Sequence, residues 1–187
     1  MRLCVISLAA LCALSLSACG DTVQQRPIPH NMLEGLIVAP YPVYWLGGSF
    51  HGMALTEASR DPSGAYSVEY GNCLQGGQGT CVPPLRVVSS PDNSFLPAGG
   101  AKTRSASIRS QPATLAQEGR TVIVATGRMV VDIYASRAST AAAAARAMVP
   151  INQPGDPEAP LPARLPDTGF NGQPLPSQVP SPLRPVS

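Results

Sequence analysis

The sequence is short of charge, of aromatic side chains, and above all of lysine and histidine. Charged residues make up 13% of the 187 residues and aromatic residues 5%, and the chain has two histidines and a single lysine, Lys102. The net charge is only +2, without a basic run of the kind that binds nucleic acid or anionic lipid. We therefore expect no nucleic acid among its partners. Cys73 and Cys81, the two cysteines outside the amino-terminal region, do not supply the four ligands of a structural zinc site, so we expect no metal and no cofactor.

The amino terminus carries an export signal that ends on a cysteine. Arg2 precedes an apolar run over residues 3–16, which is shorter than the about 20 residues of a transmembrane helix. A charged start, an apolar middle and small residues before a cleavage point are typical of a secretory signal. The run closes on Leu-Ser-Ala-Cys at residues 16–19, followed by Gly20 and Asp21.

This closing motif resembles the lipobox of bacterial lipoproteins. The resemblance implies that residues 1–18 are a signal peptide removed by the lipoprotein signal peptidase. It also implies that Cys19 receives diacylglycerol and that the new amino terminus can be acylated. The chain would then be anchored to the cell membrane and face its extracytoplasmic side, since two or three acyl chains hold a small domain far better than one. An ordinary cleaved signal and an uncleaved anchor helix are the alternatives.

The cysteine count favours one disulfide bond. Cys4 and Cys12 lie in the leader and Cys19 goes to lipid, which leaves Cys73 and Cys81 as a pair in an exported chain. The glycine-rich loop between them closes easily, and the bond would stabilise the fold by about 2–3 kcal/mol. The spacing is not the C-x-x-C of a thiol oxidoreductase, so we expect a structural bond.

Composition divides the mature chain into three parts. Residues 19–34 show no hydrophobic period and predict a flexible tether. Residues 35–149 hold the strand and helix signals of a single domain. Residues 150–187 contain 11 prolines among 38 residues and only isolated large apolar side chains, which predicts a disordered tail with polyproline II character.

Two β-hairpins organise the predicted domain. Residues 53–59 and 66–70 flank the turn sequence Asp-Pro-Ser-Gly at 61–64, and Tyr66, Val68 and Tyr70 alternate with polar residues. Residues 120–125 and 129–135 are rich in valine and isoleucine on both faces, which predicts a central pair.

Shorter segments complete the predicted sheet and its helix. Residues 105–109 predict a further strand, with Pro112 ending it or placing it at an edge. Ser139 and Thr140 predict the cap of an alanine helix over residues 141–148, which Pro150 stops and which lies on the valine-rich hairpin. The fold class is therefore α+β: a small, mostly antiparallel sheet with one C-terminal alanine-rich helix.

Three strings give the domain itself a loose resemblance. They are Tyr-Trp-Leu-Gly at 44–47, Pro-Pro-Leu at 83–85 after the cysteine loop, and Gly-Arg-Met-Val-Val-Asp-Ile-Tyr at 127–134. They resemble small lipoproteins of high-GC actinobacteria over residues 36–148. The resemblance implies structure only, so no functional residue is carried over.

Candidates for catalysis are few. His30 lies in the predicted tether, which leaves His51 as the candidate base. Ser49 and Glu57 would be its triad partners in an envelope hydrolase. Glu57 and Glu69 could face each other across the first hairpin, on its solvent side. Asp132 stands alone in an apolar strand, where we expect it on the exposed side or paired with an arginine such as Arg120.

The aromatic cluster is the better candidate for binding. Tyr41, Tyr44 and Trp45 are among the nine aromatic residues of the chain and could form a platform for sugar rings or a proline-rich peptide. Alternatively, Trp45 is the core anchor of a domain poor in aromatic residues. We therefore predict a non-enzymatic, lipid-anchored binding or structural module with a cell-wall or envelope-protein partner, and a hydrolase using His51 as the alternative.

Overall fold

The computed structural model describes residues 30–72, 74–75, 81–91 and 102–165. These residues form an α+β fold, as the sequence predicted. In chain order the elements are α1 (His30–Ile37), β1 (Tyr44–Trp45), β2 (Ser49–Phe50), β3 (Met53–Arg60), β4 (Tyr66–Tyr70), β5 (Leu74–Gln75), β6 (Cys81–Val82), β7 (Leu85–Ser90), β8 (Arg104–Ile108), β9 (Gln111–Ala116), β10 (Thr121–Thr126), β11 (Met129–Ala135), α2 (Ala138–Ala147) and β12 (Val149–Pro150).

The central feature is an eight-stranded antiparallel sheet with strand order β2-β3-β4-β7-β11-β10-β9-β8. Two short pairs, β1 with β12 and β5 with β6, lie outside it. One face of the sheet, which we call the helix face, packs against α2 on β10 and β11 and against α1 on β3. The main core lies between this face and the helices.

The first hairpin forms as predicted. The Asp61 side chain accepts hydrogen bonds from the Ser63 hydroxyl at 2.6 Å and the Ala65 amide at 3.0 Å. Gly64 then adopts φ 92°, a left-handed conformation that glycine reaches without a steric penalty. The turn thus sets the register in which β3 pairs with β4.

The valine-rich hairpin is central, also as predicted. β11 pairs with β10 on one side and with β7 on the other. Its alternate side chains Val131 and Ile133 point to the helix face and are fully buried. Ala141, Ala144 and Ala145 of α2 are fully buried as well, because small side chains allow a helix to approach a sheet closely.

The predicted cap of α2 is wrong. The helix begins at Ala138, so Ser139 and Thr140 lie inside its first turn, and Arg137 occupies the cap position without a side-chain cap hydrogen bond. Tertiary packing of the alanine face, more than a cap, therefore holds this helix. It ends at Ala147, and Met148 is already extended ahead of Pro150.

The strand β9, which was not predicted, lies between β8 and β10. The predicted strand at 105–109 is β8, at the sheet edge. Pro112 belongs to β9 and lies just beyond its pairing with β10, which stops at Ala113. The missing amide of proline therefore removes no hydrogen bond from that ladder.

The predicted tether boundary at residue 34 is wrong. The helix α1 begins at His30, and its side chain Leu36 is 1% exposed, with Leu33 packed beside it. Two leucines three residues apart share one helix face, which here covers β3, next to the two-residue edge strand β2. Residues 19–29, the rest of the expected tether, lie outside the described residues.

The predicted disordered tail begins too early. β12 pairs with β1, and Asn152 bonds to the Val43 amide at 3.1 Å and the Tyr41 carbonyl at 2.7 Å. Leu161 is 3% exposed and inserts into the core. Residues 149–165 therefore belong to the domain, and residues 166–187 lie outside the described part of the chain.

Arg109 holds this C-terminal segment in place. Its guanidinium donates to the carbonyls of Ala159 at 2.7 Å, Met148 at 2.6 Å and Asp156. Arg109 itself has φ 46° in the tight β8–β9 turn, a conformation that costs about 1 kcal/mol or more in a residue with a side chain. The charge-assisted hydrogen bonds to the segment offset that cost.

Within the described residues, no helix is long and apolar enough to span a membrane.

Candidate functional site

The three aromatic residues of the predicted platform do not share one exposed surface. Tyr44 is a core residue, 3% exposed, and Trp45 is half-buried against the core. Tyr41 and Tyr44 instead line a cleft from which Trp45 is absent. The structure therefore replaces the platform with a concave site.

This site, the tyrosine cleft, has a volume of about 460 Å³. It lies where residues 40–44 pass the β10–β11 turn and the C-terminal segment. Its walls are mainly apolar and carry two tyrosines and four prolines: Tyr41, Tyr44, Pro40, Pro42, Pro91 and Pro162. Concave, mostly apolar surfaces with a few polar groups are the usual form of ligand sites.

Tyr41 is fixed in the wall by contacts at both ends. Its hydroxyl donates to the Gly64 carbonyl of the first hairpin, and the Ser89 carbonyl lies 3.3 Å away. Its ring meets Tyr66 edge to face, with centroids 5.6 Å apart and planes at 70°. The ring is therefore held in one orientation, as a preformed binding wall requires.

Tyr44 is a core residue that also lines the tyrosine cleft. Its amide donates to the Ser89 hydroxyl at 2.9 Å, which anchors β1 on β7. Burial raises the pKa of its hydroxyl, while a hydrogen bond with Thr126 and the charge of Arg109 act in the opposite direction. The hydroxyl is therefore protonated at neutral pH.

The rim of the cleft supplies hydrogen-bond donors. Arg128, in the β10–β11 turn, and Gln153, in the C-terminal segment, are exposed and line the opening. The Pro162 carbonyl accepts from the Thr126 hydroxyl at 2.8 Å and the Gly127 amide at 3.3 Å. These bonds fasten the C-terminal wall to the turn, so the segment expected to be disordered completes the cleft.

The residues of the hydrolase alternative lie elsewhere. His51 is exposed in the β2–β3 turn at φ 48°, with its ring stacked on Phe50 at 4.1 Å between centroids. Ser49 and Glu57 are also exposed, on β2 and β3, and none of the three lines the tyrosine cleft. The described geometry brings no base to a nucleophile here, so it gives this alternative no support.

Glu57 and Glu69 do pair across the first hairpin, on the sheet face opposite the helix face. Burial, and then the charge of Glu57, raise the pKa of Glu69, while Arg86 lowers it. The ion pair of Glu69 with Arg86 has a separation of 3.6 Å. Glu57 is exposed and the Arg86 side chain is 44% exposed, so these residues form a surface charge cluster away from the tyrosine cleft.

The prediction that Asp132 is exposed or paired with an arginine is wrong. Its side chain is 0% exposed on the face opposite α2, in register with Val88 and Ile123. Neither carboxyl oxygen has a hydrogen-bond partner in the described structure. Burial raises the pKa of this carboxyl to about 7.

The cysteine predictions fall largely outside the described residues. Cys19 and Cys73 are not among them. Of Cys81 only the backbone is described; it lies in β6 and pairs with Gln75 of β5. The disulfide bond and the lipidation of Cys19 therefore stay predictions. Within the described ranges, no three side chains of the metal-binding types come together.

Sequence reasoning missed the residues that complete the site. Arg128 and Gln153 carry no motif, and Gln153 fell in the segment interpreted as tail. A possible signal for the folded C-terminal segment was Arg109, the last residue of the predicted strand at 105–109. The three carbonyl groups that it binds are more than 35 residues away in sequence, so the sequence alone does not reveal them.

No family model, no curated protein and no solved structure matches this chain.

Proposed function

We propose that the protein is a lipid-anchored lipoprotein of the bacterial cell envelope, whose domain is a non-enzymatic binding module. The export signal and Cys19 supply the anchor and place the domain on the extracytoplasmic side. The tyrosine cleft supplies the binding site. The observation that carries the binding proposal is this preformed, mainly apolar cleft, to whose lining Arg128 and Gln153 add exposed hydrogen-bond donors.

The ligand that fits best is an extended, proline-containing segment of an envelope protein. An extended chain in polyproline II conformation leaves its carbonyl groups unpaired, so Arg128 and Gln153 can donate to them. Tyrosine and proline walls offer flat apolar surfaces to proline rings, as in other grooves that bind such peptides. Because the segment is preorganised, it loses little entropy on binding.

A sugar ligand fits less well. Sugar hydroxyls need acceptors as well as donors, and the described residues that line the cleft include no carboxylate. Tyr41 presents a ring whose hydroxyl is already bonded to the Gly64 carbonyl. The cleft is thus better matched to a ligand that accepts hydrogen bonds and is otherwise apolar.

The test is a titration of the domain with a polyproline peptide of about ten residues, which adopts this conformation in water. We expect saturable shifts of the Gly127, Arg128 and Met129 amide resonances in NMR spectra. Arg128→Ala should weaken binding about 10-fold and Gln153→Ala about 5-fold, since each removes one donor to a peptide carbonyl.

Arg120→Ala is the matched control, because Arg120 is an equally exposed arginine that does not line the cleft. It should bind like the wild type. The proposal is wrong if the peptide causes no saturable shift, or if both rim variants bind it as tightly as the control does.

A further inference from the structure

A second cleft, the arginine cleft, lies at the opposite end of β10 and β11 from their connecting turn. It forms where the chain enters β7 and β10 and leaves β11, and its volume is about 480 Å³. Its polar lining carries donors: Arg86, Arg120, Tyr134, Gln117 and Ser136. The described residues that line it include no carboxylate.

The two arginines have donors to spare. The Nε of Arg86 donates to the Ser67 hydroxyl at 2.8 Å, and its ion pair with Glu69 is loose, at 3.6 Å. Arg120 donates only from Nε, to the Gln117 carbonyl at 3.3 Å, and pairs with no carboxylate in the described part of the chain. Within the described residues, the terminal amines of both guanidinium groups therefore have no hydrogen-bond partner, and both arginines line the cleft.

Tyr134 adds a neutral donor between them. Tyr134, on β11, is the cross-strand partner of Arg86 on β7 and of Thr121 on β10. Burial raises the pKa of its hydroxyl, the Asp132 charge raises it further, and Arg86 lowers it. The hydroxyl therefore keeps its proton at neutral pH and can donate to an anion.

The remaining wall is apolar and partly uncovered. Val82 is 53% exposed, and Pro83 and Ala135 lie beside it. The backbone around them is fixed, because the Ala135 amide donates to the Arg120 carbonyl and the Ser136 amide to the Pro84 carbonyl, each at 2.9 Å. The cleft is thus preformed, with cationic donors on one side and an apolar surface on the other.

We propose that the arginine cleft binds a small organic anion, with its carboxylate between Arg86 and Arg120 and its apolar part against Val82. A guanidinium matches a carboxylate with two parallel hydrogen bonds, which an ammonium group cannot do. The Tyr134 hydroxyl supplies a further donor to the same headgroup. This site is independent of the tyrosine cleft and shares none of its lining residues.

The test is isothermal titration of the domain with hexanoate at low salt, with hexanamide and inorganic phosphate as comparison probes. We expect saturable binding of hexanoate, weaker binding of phosphate, and none of hexanamide. Arg120→Gln should weaken hexanoate binding about 10-fold, and Arg120→Lys should restore part of it. Arg86→Gln should weaken it similarly, although this variant also loses the contact with Glu69.

The control is Arg146→Gln, at an exposed arginine of α2 that lines neither cleft, and it should bind hexanoate like the wild type. Equal melting temperatures of Arg120→Gln and wild type would show that the Arg120→Gln variant is folded. The proposal is overturned if hexanamide binds as well as hexanoate, if phosphate alone binds, or if Arg146→Gln loses as much affinity as Arg120→Gln.

Discussion

Replacing Asp132 by asparagine should change how the stability of the domain depends on pH. The carboxyl is fully buried in the central strand of the sheet, and its two oxygens have no partner in the described residues. Burial opposes its ionisation and raises its pKa from 3.8 to about 7. The unfolded chain ionises at the ordinary value, so folding and ionisation compete between these two pH values.

The sign and size of the effect follow from this difference. Well below pH 3.8 the carboxyl is protonated in both states, and the contribution of this group to stability is at its full value. As the pH rises, the unfolded state loses its proton first, so stability falls until the pH has passed through about 7. A pKa difference of roughly three units corresponds to about 4 kcal/mol of unfolding free energy.

Urea unfolding followed by the fluorescence of Trp45, the single tryptophan, measures this directly. Urea keeps the ionic strength constant, so other charges are not screened differently between samples. Asp132→Asn should equal the wild type near pH 3 and exceed it by about 4 kcal/mol at pH 8. Asp132→Val, beside Val88 and Ile123, should be more stable at both values, because it removes the unpartnered oxygens.

Two parallel pH profiles for wild type and Asp132→Asn would refute the reasoning, since the carboxyl would then titrate alike in the folded and unfolded states. A wild type that gains stability relative to the variant towards pH 8 would refute it as well. That result would mean that the ionised carboxylate is stabilised in the fold.

Three further predictions concern the anchor, the cysteines and the C-terminal segment. Cys19→Ala should move the protein from the membrane to the aqueous fraction of fractionated cells, and retention in the membrane would contradict the lipobox. Alkylation without reductant should leave Cys73 and Cys81 unlabelled, whereas ready labelling of both would exclude the disulfide bond. Truncation after Pro150 should lower the melting temperature by about 5–10 °C, because it removes Leu161 from the core and the carbonyls that Arg109 binds. Truncation after Leu165 should leave the melting temperature unchanged, and equal melting temperatures of the two truncations would show that residues 151–165 do not stabilise the fold.

The two hairpins could be predicted because their signals are local. The Asp61–Gly64 turn is closed by the Asp61 side chain, and the alternation of Tyr66, Val68 and Tyr70 matches the buried face of β4. The valine-rich pair is central because side chains on both of its faces are buried. Each signal lies within a few residues of the structure that it specifies.

The C-terminal segment could not be predicted, because distant residues hold it. Proline content indicated disorder, yet Asn152 and Arg109 supply hydrogen bonds that periodic structure would otherwise provide. A further side-chain hydrogen bond, from the Thr126 hydroxyl to the Pro162 carbonyl, fixes the wall of the tyrosine cleft at Pro162. Composition indicates how much apolar surface a segment can bury. It does not indicate which hydrogen-bond donors another part of the chain provides for that segment.

Asp132 failed for the opposite reason. It was expected on the exposed side of the sheet or paired with an arginine such as Arg120. It lies on the face away from α2, and such a second face of an antiparallel sheet can be exposed or covered. Here Val88, Ile123 and Val130 are buried on that face together with Asp132. The pattern of one strand predicts which face a side chain occupies and does not predict how well that face is covered.

The most direct test of the proposed lipid-anchored module is the intact mass of the protein purified from bacterial membranes. We expect a chain that begins at Cys19, lacks residues 1–18 and carries the added mass of a diacylglyceryl group and an amino-terminal acyl chain on that residue. A mature chain that begins elsewhere, or a Cys19 without lipid, would contradict it.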